Sequence, residues 1–256
     1  MKPPTEYWRT FFDDRARNCS SDHFLNRGTA IRMPELELAA HRQFLEAVNP
    51  QPQDIVLDAG CGSGPNISVL APLVKEVIGI DYSEQMVQRA KERVANEKLT
   101  NDKLMPGDVT QLQFPSDTFD KVVCASVLQY LENEDCARAL REMIRVCKNG
   151  GRLVIHAKNA TSLYGLSLKV LRSISRVLGR QMKPEYYRSR SWHEKTLKEA
   201  GGVRVGFDGH GVLTFRPLPR WAMGCLLRTE TALGPPKFLK KFAVNYKMTI
   251  QVNKGR

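Results

Sequence analysis

A short apolar run that leads directly into three closely spaced glycines constrains this chain more than any other feature. Residues 54–64 read DIVLDAGCGSG, with the apolar run at 55–57 and Asp58 immediately after it. A short, continuous apolar run bounded by turn residues is typical of a strand buried in a parallel sheet. We therefore predict a strand whose carboxyl end carries an acid and opens into a glycine loop.

The three glycines, Gly60, Gly62 and Gly64, can adopt positive φ angles and bring bare backbone close to a ligand. A helix that begins near Asn66 would point its N-terminus at the same place, which favours a nucleotide-type cofactor. The dinucleotide fingerprint G-x-G-x-x-G requires a third glycine where this chain has Pro65, and NAD is therefore disfavoured.

A second acid follows a second apolar run. Residues 77–80 form this run and end in Asp81, which lies 17 residues after Gly64. In a parallel sheet this acid would close the neighbouring strand, where a carboxylate can hydrogen-bond the diol of a ribose. The pattern therefore predicts that the carboxylate of Asp81 binds a ribose.

The pattern D-x-G-x-G-x-G, followed by an acid that closes the next strand, resembles the class I S-adenosylmethionine-dependent methyltransferases. Pro106–Val109 resembles the family's third signature, in which the acid, here Asp108, meets the adenine amino group and the next residue packs on the ring. Residues 119–130 resemble the fourth strand and the loop that leads towards the substrate. Residues 138–156 resemble the following helix, glycine turn and fifth strand, so the resemblance covers residues 50–157.

The resemblance implies an α/β fold. Its core would be a doubly wound, Rossmann-like sheet of seven mostly parallel strands, with an antiparallel last strand and a helical lid. It also implies that the cofactor is S-adenosyl-L-methionine. The positions that match the family's motifs are expected to bind it: Asp58, Gly60, Cys61, Gly62, Gly64, Asp81, Tyr82, Met86, Asp108, Val109 and Ala125.

We divide the chain into four parts of one structural domain. An N-terminal helical cap at 1–50 precedes the cofactor-binding core at 51–157. A lid insertion follows at 158–202. The C-terminal part, 203–256, holds strands six and seven with an amphipathic insertion between them.

Capping residues predict where two of the helices begin. Ser83 is expected to cap a helix at 83–95. The residues S-W-H-E at 191–194 resemble a capping box and predict a helix that ends at Gly201.

Positive charge is concentrated in the second half of the chain. Residues 158–256 hold 20 Lys and Arg against 5 Asp and Glu, a net charge of +15. Residues 1–157 hold 19 against 22, a net charge of −3. A basic region joined to a nearly neutral core indicates an acidic partner, such as anionic lipid, a phosphorylated substrate or nucleic acid.

Residues 162–180 have apolar side chains at helical spacing with basic residues between them, which predicts a basic amphipathic helix. The basic residues are Lys169, Arg172, Arg176 and Arg180. Two interpretations stay open: a lid helix whose apolar stripe packs on the core, and a helix that contacts a membrane surface or a lipid substrate. A second such segment at 219–228 favours lipid. Nucleic acid is a weaker candidate because no RNA-binding signature is present.

The cysteines and the N-terminal sequence indicate the cellular compartment of the protein. The six cysteines form no C-x-x-C pair and have no metal-ligand spacing with the histidines, so we expect reduced thiols, a cytoplasmic protein and no metal site. The sequence has neither the apolar core of a signal peptide nor an apolar run of about 20 residues. We therefore expect at most a peripheral position on the inner membrane surface.

Methyl transfer from a sulfonium requires little of side chains, because the donor is already activated and alignment of the reacting atoms supplies most of the acceleration. A general base is needed only when the acceptor must lose a proton. His156, just past the fifth strand, is the first candidate. His193 is the second, and Tyr130, after the fourth strand, is the third.

These observations predict a methyltransferase that acts on a small-molecule or lipid-linked acceptor, at oxygen first and at nitrogen or carbon as alternatives. An RNA or protein methyltransferase that uses the basic C-terminal region is a second hypothesis, although the chain has no N-P-P-Y-type tetrapeptide. A non-catalytic module that binds the cofactor or a membrane is a third. A short-chain dehydrogenase is excluded because no tyrosine is followed by lysine four residues later.

Overall fold

A computed structural model of the chain describes residues 4–18, 34–180, 182–210 and 242–255. One sheet forms its centre. The strands are β1 Ile55–Ala59, β2 Glu76–Asp81, β3 Asp102–Pro106, β4 Phe119–Ala125, β5 Cys147–Lys158, β6 Gly202–His210 and β7 Asn245–Val252. Their order across the sheet is β3-β2-β1-β4-β5-β7-β6. The strands from β1 to β5 are parallel, whereas β7 runs antiparallel to both of its neighbours, as predicted.

Helices cover both faces of the sheet. They are α1 Pro4–Asn18, α2 Pro34–Val48, α3 Pro65–Leu70, α4 Glu84–Asn96, α5 Asn133–Val146, α6 Leu163–Val177 and α7 Arg190–Glu199. Side chains of a strand alternate between the two faces, so Leu57 packs in the core beneath α5 and α7, while Val56 packs in a second core with α3 and α4. Because both faces are buried, the apolar run at 55–57 has no polar residue, and the predicted doubly wound architecture is confirmed.

The register brings the carboxyl ends of the parallel strands to one edge of the sheet. Asp81, the last residue of β2, pairs with Pro106 at the end of β3. Ala125, the last residue of β4, pairs with His156 near the end of β5. Residues that follow these strands therefore share one edge, which is where open α/β sheets bind their ligands.

The local predictions of helix starts have different outcomes. Ser83 caps α4 as predicted, since its Oγ accepts a hydrogen bond from the Met86 N–H at 3.1 Å. The start of α7 is shifted. Its N-cap is Ser189, whose Oγ accepts from the Trp192 N–H at 3.2 Å, so the capping box predicted at Ser191 is wrong. Ser189 has the extended backbone that a cap requires, whereas Ser191 already lies inside the helix.

The fifth strand is longer than the sequence pattern indicated. It spans Cys147–Lys158, because Cys147 pairs with Phe119 before the regular register begins at Arg152. The residues between form an irregularity that includes Gly150 at a φ of 80°.

The apolar stripe of α6 faces away from the core. Its exposed side chains include Leu166 at 47%, Val170 at 60%, Ile174 at 50% and Val177 at 86%. The helix approaches the protein closely at Gly165, where a side chain would overlap the backbone of Asn159 and Ala160. The interpretation in which the stripe packs on the core is therefore wrong. The second amphipathic segment, at 219–228, lies outside the described residues.

Two further observations concern the described part of the chain. Cys61, Cys124, Cys136 and Cys147 are buried and form no disulfide. Among the helices in the described ranges, none is both long enough and apolar enough to span a membrane.

Arg188 is a buried residue that ties the segment before α7 to the loop after β4. Its guanidinium donates to the carbonyl oxygens of Leu128 at 2.8 Å and Leu131 at 2.6 Å, and to Asn133 Oδ1 at 2.9 Å. Burial lowers the pKa of this guanidinium. The backbone carbonyl of Arg188 accepts a hydrogen bond from the Ala160 N–H, so the same residue also holds the loop after β5.

We expect Arg188→Met to destabilise the protein by about 2 to 4 kcal/mol, because methionine leaves buried carbonyl groups without a donor. Urea denaturation measures this change. Arg138→Met is the matched control: Arg138 is an exposed residue with an ion pair to Asp135 at 3.6 Å, and its loss should change the free energy of unfolding by less than about 1 kcal/mol. Equal unfolding free energies for the two variants would contradict the anchoring role.

Candidate active site

The glycine loop after β1 has the backbone that its sequence predicts. Gly60, Gly62 and Gly64 have φ angles of 85°, 55° and 82°. The N–H groups of Gly60 and Cys61 both donate to the carbonyl of Ile80 at 2.8 Å. At Gly60 the lack of a side chain is also a packing requirement, because a Cβ there would overlap Val127, in the loop after β4.

Asp58 is fully buried beneath this loop and is only partly satisfied. Its Oδ1 accepts a long hydrogen bond from Asn66 Nδ2 at 3.4 Å, whereas Oδ2 has no donor among the described residues. Burial, with a smaller contribution from the nearby charge of Asp81, raises the pKa of Asp58 to about 7 against the opposing effect of the Asn66 hydrogen bond. A buried carboxylate with an unsatisfied oxygen is unfavourable, so this position suits a ligand that brings a donor or a positive charge.

Cys61 and Met86 are buried, although both match cofactor-binding positions of the family. Burial raises the pKa of the Cys61 thiol, so this thiol stays protonated beneath the loop. Met86 packs with Ala16 and Phe12 at the contact between α1 and α4. Tyr82, by contrast, is exposed, and the guanidinium of Arg9 lies 5.4 Å from the centre of its ring.

Asp81 joins the glycine loop to the start of α4. Its Oδ2 accepts from the Gly62 N–H and its Oδ1 from the Ser83 N–H, both at 2.9 Å. Burial raises the pKa of this carboxyl, while the two backbone hydrogen bonds oppose the rise. Each carboxylate oxygen can accept more than one hydrogen bond, so these contacts are compatible with a ribose diol. The sequence did not indicate the second, structural role.

Asp108 and Val109 follow β3 at the same edge. Asp108 Oδ1 accepts from both the N–H and the Oγ1 of Thr110 at 2.8 Å, which fixes the carboxylate. Val109 is buried. A groove of about 770 Å³ extends from Asp108 along α5. Its other lining residues are Thr110, Gln111, Arg138, Arg141, Glu142 and Arg145.

The N-terminal helix α1 lies over the loops that follow β2 and β4. Asp13 Oδ1 accepts a hydrogen bond from Ser83 Oγ at 2.5 Å. Tyr130 packs against two aromatic rings of α1, with ring centres 4.3 Å from Trp8 and 5.2 Å from Phe12. The sequence predicted helices before β1, but no local pattern indicated these long-range contacts.

His156 lies at the end of β5 beside the end of β4. Its Nδ1 is 2.9 Å from Ser126 Oγ, and its backbone carbonyl accepts from the Ser126 N–H at 3.0 Å. Ser126 has a φ of 65°, a left-handed conformation that few non-glycine residues adopt and that often marks a functional position. Ser126 directly follows Ala125, a predicted cofactor-binding position, and was not singled out from the sequence.

His193 occupies a different environment from His156. It belongs to α7 and is buried on the side that faces β7. Its Nδ1 lies 2.6 Å from the hydroxyl of Tyr246 and 3.3 Å from the carbonyl of Ser189. Burial lowers the pKa of His193 to about 4, so it is neutral at physiological pH. We assign this histidine a packing role and remove it from the candidate bases, because its ring is enclosed by core residues.

The structure therefore collects most predicted site residues at one edge of the sheet. The glycine loop and Asp108 follow β1 and β3. Asp58, Asp81 and Ala125 lie within the last two residues of β1, β2 and β4, and His156 lies near the end of β5. Each of the first three strands brings one acid to this edge, and β5 brings an oriented histidine. The row of acids suits an extended cofactor, and the histidine suits an acceptor bound beside it.

Comparison with known proteins agrees with this geometry. A family profile described as a methyltransferase domain matches residues 56–151. The demethylmenaquinone methyltransferase of Geobacillus sp. (strain WCH70) is 30% identical over 62% of this chain and 69% of that protein. The uncharacterized methyltransferase YcgJ of Bacillus subtilis (strain 168) is 33% identical over 39% of each chain. The phosphatidylethanolamine N-methyltransferase of Cereibacter sphaeroides is 38% identical over 39% of this chain and 48% of that protein.

The chain thus spans less than half the length of two of these three relatives. Among solved structures, the magnesium protoporphyrin IX methyltransferase of Synechocystis PCC 6803 with bound SAH superposes with a TM-score of 0.64. It is 19% identical, and the match covers 97% of this chain and 98% of that one, so the likeness concerns the fold. From the strand order, the glycine loop and these relatives, we conclude that the chain belongs to the class I S-adenosylmethionine-dependent methyltransferases.

Proposed function

We propose that this methyltransferase acts on a small-molecule or lipid-linked acceptor and transfers the methyl group to an oxygen atom. The observation that carries the choice of oxygen is the contact between Ser126 and His156 at the carboxyl edge, because a hydroxyl acceptor must lose its proton and a histidine held in one orientation can take it. The names of two relatives, a demethylmenaquinone methyltransferase and a phosphatidylethanolamine N-methyltransferase, support the acceptor class.

The residues at the edge fit S-adenosyl-L-methionine. The unsatisfied oxygen of Asp58 suits the ammonium group of the methionine portion, since a cation would relieve the cost of burying that carboxylate. We assign Asp81 to the ribose hydroxyls and Asp108 to the adenine amino group, with Val109 against the ring. The glycine loop, whose backbone a ligand can approach closely, and the exposed Tyr82 complete the proposed cofactor site.

When bound, the cofactor supplies a methyl group already activated by a sulfonium. The chain has to hold the acceptor in line with that methyl, exclude water and accept a proton. We assign the exclusion of water to α1, which covers the loops after β2 and β4, and to the lid at 158–202. Tyr130, packed against Trp8 and Phe12, forms a wall of the acceptor side and remains the alternative base.

His156 would act as the base through Nε2. In the tautomer that this role requires, Nδ1–H donates to Ser126 Oγ and Nε2 carries no hydrogen. Ser126 is then a positioning residue. The left-handed backbone of Ser126 brings its N–H to the His156 carbonyl and its Oγ to the imidazole ring. One neighbouring residue therefore holds both the backbone and the side chain of His156.

The proposal is tested by incubating the enzyme with S-adenosylmethionine carrying a labelled methyl group and three acceptors: a naphthohydroquinone, phosphatidylethanolamine in detergent micelles, and total RNA. Label in an ether-linked product of the hydroquinone would support the proposal. Label in RNA alone would instead support the alternative in which the basic C-terminal region binds nucleic acid, and label in the lipid amine alone would contradict oxygen as the target.

We expect His156→Gln to lower kcat for an oxygen acceptor about 100-fold or more, because the proton acceptor is lost. The dissociation constant of S-adenosylmethionine, measured by calorimetry, should stay within about twofold. His193→Gln is the matched control, and its kcat per folded enzyme molecule should equal that of the unchanged enzyme. Equal kcat values for His156→Gln and the unchanged enzyme would remove His156 from the mechanism.

Asp81→Asn should weaken binding of S-adenosylmethionine by about 1 to 3 kcal/mol, the contribution of a charge-assisted hydrogen bond. Isothermal calorimetry measures the change. Glu84→Gln, which alters a neighbouring carboxylate at the start of α4, is the control and should bind normally. An unchanged affinity in Asp81→Asn would refute the assignment of this residue to the ribose.

Binding of S-adenosylmethionine should also depend on the ionisation of Asp58. Because burial raises the pKa of Asp58 to about 7, the fold disfavours the ionised form, and a cationic ligand favours it. Affinity should therefore increase as pH rises through 7, and the ionised fraction of Asp58 alone predicts an increase of about tenfold between pH 6 and pH 8.

Asp58→Asn provides the reference for this experiment, since the ligand's own titration is the same in both proteins. The ratio of the two affinities should grow with pH. Without cofactor, the variant should be the more stable protein at pH 8 and should lose that advantage towards pH 4, where the carboxyl of Asp58 is protonated in the folded state. A ratio that does not change with pH would contradict the ion pair.

A further inference from the structure

Helix α6 presents an apolar surface that the described part of the protein does not cover. Leu166, Val170, Ile174 and Val177 follow one another at helical spacing and are exposed by 47% to 86% of their area. Contiguous exposed apolar side chains on a helix mark a site of interaction more often than isolated ones do. We call these four residues the outer stripe.

The outer stripe is directed outwards by the way α6 is attached. Ser162 caps the helix by accepting from the Gly165 N–H at 2.9 Å, and its own hydroxyl donates to the Asn159 carbonyl at 2.8 Å. Gly165 is buried against the loop after β5, where a side chain would overlap the backbone. At about 100° per residue, the outer stripe centres on the side of the helix away from Gly165.

Basic residues line one edge of the outer stripe. Lys169, Arg176 and Arg180 are exposed. Helical spacing places Lys169 and Arg176 together beside Leu166 and Val177, and Arg180 follows the end of the helix. The helix contains no acidic residue between its first and last positions. It belongs to the half of the chain with a net charge of +15, so the field around the stripe is positive.

This combination fits one kind of partner. An apolar stripe with a cationic edge allows a helix to lie in the plane of a bilayer, with its apolar side chains among the acyl chains and its basic side chains near lipid phosphates. Nucleic acid would use the basic edge but would leave the apolar side chains in water. The position of α6, which begins five residues after the end of β5, places the surface next to the proposed acceptor site.

We infer that the outer stripe of α6 docks the enzyme on the surface of an anionic bilayer, with the carboxyl edge of the sheet near the lipid. The inference goes beyond the proposed function, because docking holds for any acceptor and is measured without turnover. A lipid-linked acceptor would then reach the site from the bilayer, whereas a water-soluble acceptor would reach it from solution.

The test measures binding of the full chain to vesicles by sedimentation, without cofactor or acceptor. Vesicles of phosphatidylcholine with phosphatidylglycerol are compared with vesicles of phosphatidylcholine alone, at about 0.05 M and about 0.5 M salt. We expect binding to the anionic vesicles at low salt, and at least roughly tenfold weaker binding at high salt or to neutral vesicles. Equal binding to both kinds of vesicle, or binding to neither, would overturn the inference.

Three variants separate the apolar and the electrostatic contributions. The apolar variant replaces residues of the outer stripe: Leu166→Ser, Val170→Ser and Ile174→Ser. The basic variant removes the cationic edge: Lys169→Gln, Arg176→Gln and Arg180→Gln. The control removes the same charge from α4 and α7: Lys91→Gln, Lys195→Gln and Lys198→Gln.

We expect the apolar variant to lose at least tenfold in affinity for anionic vesicles, and the basic variant to lose on the order of 100-fold, since each cation near the surface contributes about fivefold. The control should bind within about threefold of the unchanged chain. All variants are exposed replacements, and an unchanged affinity for S-adenosylmethionine confirms that they fold. Equal losses in the control and the basic variant would overturn the inference.

A second copy of the chain is the competing occupant of the outer stripe. Light scattering after size exclusion distinguishes it. A monomer at the concentrations used for sedimentation supports the docking surface, whereas a dimer that dissociates in the apolar variant would show that the stripe contacts another copy and would overturn the inference.

Discussion

The carboxylate of Asp81 connects the parts of the molecule that build the proposed cofactor site. One oxygen holds the glycine loop through the Gly62 N–H, and the other holds the start of α4 through the Ser83 N–H. The backbone carbonyl of Asp81 accepts from the Gly107 N–H, at the end of the third strand. Ser83 in turn donates to Asp13 of α1. The loops after β1 and β2 therefore depend on the position of the Asp81 side chain, and the loop after β3 is held by the backbone of the same residue.

The features that the sequence predicted are those that the local backbone requires. Three glycines with positive φ, an acid at a strand end and a serine that caps a helix are each selected by the conformation of a few neighbouring residues. The parallel direction of the first five strands agrees with the alternation of strands and helices along the chain, although a loop without a helix joins β3 to β4. These local requirements were sufficient to indicate the cofactor family and the edge of the sheet where it binds.

The features that the sequence did not predict depend on distant contacts. Amphipathic spacing shows that α6 has two different faces, but the face turned inwards is set by Gly165 against the loop after β5. The sequence ranks His156 before His193 as a candidate base but does not show how different their surroundings are. Their difference arises from Tyr246, 53 residues after His193, and from Ser126, 30 residues before His156. Arg188 reaches its carbonyl partners across 57 to 60 residues in the same way.

The packing of Val127 on Gly60 has a consequence for how the range of acceptors can change. Val127 belongs to the loop that leads from β4 towards the acceptor side, and it fills the space that a Cβ at Gly60 would need. A larger residue at 127 would press on the donor loop, and a smaller one would leave that loop without support. Diversification of this enzyme towards new acceptors is therefore easier through the segment around α6 than through the residues packed on the donor loop.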